Sequence, residues 1–145
     1  MNLSFKIKHY FFNAFREIFV HHHGSLEFRA KIFALVIAAN PDAGVDNFIH
    51  VKNYGLKIYK DEDRANLLML TTKEMVNKIK EKNGLDIDTL IYNIQKQLKV
   101  VPRYAHKIDI EALSELTKLT YDEDNYLYQK NILEFLEKLK KETLK

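Results

Sequence analysis

Cysteine is absent from all 145 residues, which removes disulfides, thiolate metal sites and cysteine nucleophiles together. Glycine and proline number only 4 and 2, so there are few places to turn a strand sharply, and the shortage favours helices. No apolar run approaches the ~20 residues that a membrane-spanning helix needs. Neither charge dominates: 23 basic against 20 acidic side chains leave +3, too little to imply nucleic acid, and no nucleic-acid partner is expected. A glycine-rich phosphate loop is missing, as is any serine, cysteine or threonine nucleophile motif, so no enzyme activity is expected. What is present, 46% apolar and 30% charged side chains, is the balance of one globular domain with one core.

Residues 1–20 place Leu3, Ile7, Phe11, Phe15 and Ile18 at spacings of four and three, the stripe of an amphipathic helix docked on a core. Lys6 and Lys8 ahead of Tyr10, Phe11 and Phe12 resemble the start of a signal peptide. Arg16 and Glu17 then interrupt the apolar run and no small-residue cleavage pattern follows, so a cytoplasmic protein is expected. Peripheral contact with a membrane through this helix is the alternative, although its other face is not polybasic.

Residues 25–145 read as one helical domain. Ser25 is placed to cap a helix carrying Phe28, Ile32, Leu35, Val36 and Ala39, apolar on nearly every side and so expected at the centre. Asn40-Pro41-Asp42-Ala43-Gly44 is a loop by its residue types, and Asp46 is placed to cap a third helix reaching about Tyr59. Asp61 or Asp63 can cap a fourth, with Leu68, Met75 and Ile79, that stops near Asn83-Gly84. Asp86 or Asp88 opens a fifth, with Ile87, Leu90, Ile91, Ile94 and Leu98 on one stripe. Pro102 starts a sixth helix carrying Leu113 and Leu116, and after Asp124 a seventh turns Tyr128, Ile132, Phe135, Leu136 and Leu139 inward. The expected fold is all-α, a single compact bundle of about seven helices.

The chain also repeats. Shifted by 78 positions, Asp46-Asn47-Phe48-Ile49-His50-Val51-Lys52-Asn53 falls on Asp124-Asn125-Tyr126-Leu127-Tyr128-Gln129-Lys130-Asn131 with four identities. Upstream, Ala34-Leu35 meets Ala112-Leu113 and Ala38 meets Leu116. Two copies of one unit, an apolar helix, an acidic loop and a capped amphipathic helix, are expected to pack about a pseudo-two-fold axis that brings the two loops together.

A helix ending in Ala-Ala or Leu-Thr, then an acidic loop, then a capped helix, all occurring twice, resembles the tellurite-resistance TerB-like family over roughly residues 26–139. The resemblance implies an all-helical, duplicated, non-enzymatic bundle with a protein-interaction or stress-response role. A related domain is fused to membrane-anchored J-domain co-chaperones, and the family's acidic loops are associated with divalent metal. The first loop here, Asp42-Ala43-Gly44-Val45-Asp46, keeps the leading acid, the valine and the capping acid but displaces the glycine. The second, Thr120-Tyr121-Asp122-Glu123-Asp124, has neither the leading acid nor a glycine. Three residues after each cap, where the family often has glutamate, stand Ile49 and Leu127.

Asp42, Asp46 and His50 recur every four residues and, with Asp122 and Asp124 from the other loop, form the candidate divalent-cation ligands. The competing reading is that Asp46 and Asp124 cap helices, that Asp42 organises its own turn and that Lys52 and Lys130 offset the acids. Calcium and magnesium binding is then expected to be weak or absent, and no other cofactor is expected. Lys96, Lys99, Arg103 and Lys107, with His106, form a candidate basic patch for phosphates or an acidic protein surface, the alternative being a solvated polar face. His21-His22-His23 reads as exposed linker, because adjacent imidazoles on a helix point apart. Tyr121, Tyr126 and Tyr128 read as edges of the core. The expected partner is a protein that the sequence does not name.

Overall fold

The computed structural model describes residues 24–145. Both the amphipathic helix expected over 1–20 and the triplet His21-His22-His23 lie outside the described residues. The remainder folds as six α-helices and one 3₁₀ turn, with no strand among the described residues, the all-α bundle that the residue periodicity predicts.

Helix α1 (Gly24–Ala38) is apolar on every side and so has to be covered on every side. Leu26, Phe28, Ala30 and all of Ile32 to Ile37 are buried, and α1 touches every other described element except α2 extensively. The helix already includes Gly24, so Ser25 lies inside it rather than at its cap. Helix α2 (Val45–Tyr59) lies mainly on α3 (Glu62–Lys80), joined to it through Lys60, whose left-handed backbone (φ 54°) lets its N–H close on the Leu56 carbonyl. Helix α4 (Ile87–Val100) buries Leu90, Ile94 and Leu98, as its stripe predicts.

Pro102 does not start the helix of Leu113 and Leu116. It opens a separate 3₁₀ turn (Pro102–Lys107), and α5 (Ile110–Thr117) has its own cap, Asp109, which accepts from the Ala112 N–H at 3.1 Å. Proline suits a first turn because it lacks an N–H, but the backbone leaves helical geometry at Ile108 and needs a fresh cap. Helix α6 (Glu123–Thr143) closes the bundle on α5 and α1, with Ile132, Leu133 and Leu136 buried.

The acids expected as caps are half right. Asp61 accepts from Asp63 N and Arg64 N, and Asp86 from Thr89 N at 2.7 Å. That backbone bond holds the Asp86 carboxyl below its usual range. Asp46 and Asp124, however, sit inside the first turns of α2 and α6, and the cap positions belong to Gly44 and Asp122. Asp122 accepts from Asn125 N at 3.0 Å, whereas Gly44 has no side chain to offer. Capping needs an extended backbone at the capping residue itself, and that register is set two residues earlier than the acids suggest. The expected outcome is that Asp122→Ala lowers stability by about 1 kcal/mol. Asp46→Ala, which loses only a charge near the helix start, should cost roughly 0.3 kcal/mol in urea unfolding. Equal losses would contradict the assignment.

Candidate functional site

The shift of 78 positions that aligns the two repeats also aligns the structural starts, because Val45 and Glu123 each open a helix. The two loops do meet. Helix α1 ends ahead of Pro41, since the residue before a proline is pushed out of helical geometry, and Asn40 there is only 4% exposed. Its Oδ1 accepts from Asp42 N at 3.1 Å, so Asn40, and not Asp42, organises the first turn. The same Oδ1 accepts from Asn125 Nδ2 at 3.1 Å, while Asn40 Nδ2 donates to Thr120 Oγ1 at 3.3 Å. Thr120 Oγ1 in turn donates to Gln129 Oε1 at 2.6 Å. The chain of bonds ends where Gln129 Nε2 donates to the Val36 carbonyl at 3.0 Å, one of the last-turn carbonyls that a helix leaves unpaired.

Asn125 is the pivot of this junction. Its backbone N–H meets Asp122 and its Nδ2 also reaches Asp42 Oδ2 at 3.4 Å, so one acid from each loop is held on a single residue. Its repeat partner Asn47 is fully buried and turns back instead, donating to Asp46 Oδ1 at 3.1 Å and Gly44 O at 3.4 Å. Equivalent asparagines therefore do different work, and nothing in a single-sequence comparison separates them.

The five expected metal ligands do not come together. The helix does not continue through Asp42, so Asp42, Asp46 and His50 do not share a face. Asp42 turns to Asn125 and Asp46 to Asn47, while His50 Nε2 bonds the Ala112 carbonyl of α5 at 3.0 Å. Asp122 caps α6, and Asp124 is exposed in its first turn. Among the described residues no three His, Asp or Glu side chains converge in a way that could hold a metal ion. Lys130 does not offset these acids either, since its ammonium lies 5.9 Å over the Tyr126 ring.

His50 instead borders a cleft of about 300 Å³ with Tyr54, Lys57, Asp109 and Glu111. Tyr54 Oη donates to Asp109 Oδ2 at 3.0 Å. Burial, with the Asp109 carboxylate second, pushes this phenol up to about 12, so it remains a proton-bearing donor at neutral pH and is no nucleophile there.

The tyrosines expected at core edges face water: Tyr121 is 98% exposed, and Tyr126 and Tyr128 are exposed too. Tyr128 was also expected inward along α6 and is not. With Val45, Ile49 and Leu127, likewise exposed, they put large apolar side chains around the joined loops. Asp42, Asp46, Asp122, Glu123 and Asp124, all exposed, stand among them.

The expected basic patch divides. Lys96 and Lys99 border a groove of about 500 Å³ between α4 and the end of α6, with Leu98, Pro102, Leu139 and Glu142. Arg103 and Lys107 lie on the 3₁₀ turn, and Lys107 is close enough to Arg29 of α1 to feel its charge. Sequence reasoning missed Arg29, which has no basic neighbour in the chain closer than Lys31. No helix among the described residues is long and apolar enough to cross a membrane. Compared with known protein families, curated proteins and solved structures, the chain matches none.

Proposed function

We propose that the chain is a non-enzymatic, TerB-like protein-interaction module that docks its partner on the face formed by the two joined loops. The observation that carries this reading is the company of side chains there: Tyr121, Val45, Ile49 and Leu127 exposed beside five exposed acids. Exposed large apolar groups gathered on one face are a feature of interaction surfaces. The acids select for a basic partner and speed its approach. Asn125 and Gln129 hold both loops rigidly, which spares the partner the cost of ordering them. The duplicated loops and their resemblance to the TerB-like family support the same reading, and with it an association with stress response. No cation is required, because hydrogen bonds to Asn125 and Asn47 already occupy Asp42 and Asp46.

The test uses tagged protein, a Tyr121→Ser, Leu127→Ser double variant and, as control, Tyr92→Ser, whose side chain is 61% exposed on α4. A partner captured by the wild type and by the control, in chelator as well as without it, should be lost from the double variant while its melting temperature stays unchanged. Retention of that partner by the double variant would refute the assigned face.

A further inference from the structure

Three cations gather where α1 meets the 3₁₀ turn, and each is held in place without a counter-charge. Arg29 Nη1 donates to Tyr59 Oη at 3.2 Å, with the guanidinium 5.4 Å above that ring. Arg103 rests in the same way 5.5 Å from the centre of the Tyr104 ring. Tyr104 packs on Phe28, the neighbour of Arg29, with ring centres 5.4 Å apart. Gly24 lets its hydroxyl come so close that an added Cβ would stand 3.0 Å from it. The 3₁₀ turn is thereby pinned to the first turns of α1, and Lys107 lies on the same short element as Arg103.

None of the three is paired with a carboxylate among the described residues, where the ion pairs are Glu74 with Lys78, Glu115 with Lys118 and Glu137 with Lys141. Arg29 Nε is buried with no acceptor. An uncompensated, partly desolvated charge is costly, and a donor left unpaired adds to the cost. The Lys107 ammonium registers the crowding, its proton affinity lowered first by burial and then by Arg29 and Arg103.

From this geometry we infer that Arg29, Arg103 and Lys107 form a binding site for a phosphate monoester, carried on a small soluble ligand or on a lipid headgroup. A carboxylate would answer one of three positive charges, whereas a phosphate dianion answers two. Its tetrahedral oxygens can accept from α1 and from the 3₁₀ turn at once. Guanidinium groups already seated on rings present fixed N–H edges to such an anion, which an ammonium alone does not. The site is separate from the joined-loop face and stands or falls independently of it.

The probe is inorganic phosphate, titrated into the full chain at neutral pH and followed by calorimetry and thermal unfolding, with potassium chloride keeping the ionic strength constant. Saturable binding and a saturable rise in melting temperature are expected. General salting-out by phosphate, by contrast, grows without saturating and acts on variants alike. Arg29→Gln, Arg103→Gln and Lys107→Gln should each weaken binding by about tenfold or more, equivalent to about 1.4 kcal/mol. Arg103 is exposed, so its variant keeps the test valid if Arg29→Gln folds poorly. Sedimentation with phosphatidylcholine vesicles containing a phosphoinositide monophosphate, competed by free phosphate and lost in the variants, assigns the group to a lipid. Free phosphate binding without sedimentation assigns it to a soluble ligand. A wild type that responds to phosphate no differently from chloride overturns the inference, as does a response or a vesicle contact that survives all three substitutions.

Discussion

Replacing Gln129 with leucine, a change that keeps volume and adds apolar surface, is expected to lower stability by about 3 kcal/mol rather than raise it. Gln129 is fully buried and its two ends are both used. Nε2 serves the Val36 carbonyl, and Oε1 accepts from Thr120, which itself accepts from Asn40. Leucine strands the carbonyl at the closed end of α1, where water cannot replace the lost donor, and a buried group without its partner carries most of its desolvation cost. For a chain of this length the melting temperature should fall by roughly 8 °C. Thr120→Val shares the same network, so the double variant should lose clearly less than the sum of the singles. Additive losses, or a more stable Gln129→Leu protein, would show that the junction is not a coupled network.

The second large effect is expected at Gly55, in the middle of α2. Judged by helix propensity alone, Gly55→Ala should stabilise the protein by about 1 kcal/mol. The opposite is expected, because an added Cβ would lie 2.9 Å from Ala65 Cα and 3.1 Å from Ala65 Cβ. The obstacle is backbone of α3, which cannot swing aside as a long side chain would. Overpacking of this kind costs about 2 kcal/mol, and α2 should separate slightly from α3. Removing the opposing methyl group by Ala65→Gly in the same chain should recover part of the loss. Equilibrium urea unfolding of the two singles and the double decides the matter, and a stabilised Gly55→Ala variant would mean that the helices do not approach so closely.

These two sites mark the border between what was legible in the chain and what was not. The all-α class, the central place of α1 and the stripes of α4 and α6 could be read directly, because burial of a helix face follows from the 3.6-residue period. The repeat was equally legible, down to the equivalence of Val45 and Glu123 as helix starts. Its consequences were not. Asn47 and Asn125 are the same residue in the same register, yet only Asn125 crosses to the other loop. Gly55 aligns with Leu133, a buried side chain, so the two halves pack with different spacings despite their common ancestry in pattern.

Local chemistry thus determined the elements, their approximate ends and the presence of acids at the loops. Tertiary structure decided which acid caps, since capping depends on the backbone angles of one residue and the sequence offers acids on either side of it. It also decided that His50 serves the Ala112 carbonyl instead of Asp42 and Asp46, because the loop breaks the helical register that would have aligned all three. The basic residues show the same limit most plainly. Lys96, Lys99, Arg103 and Lys107 are neighbours in the chain, but the break at Pro102 sends the first two to a groove and joins the last two to Arg29. Charge acts through space, and only the packing of α1 against the 3₁₀ turn sets that distance.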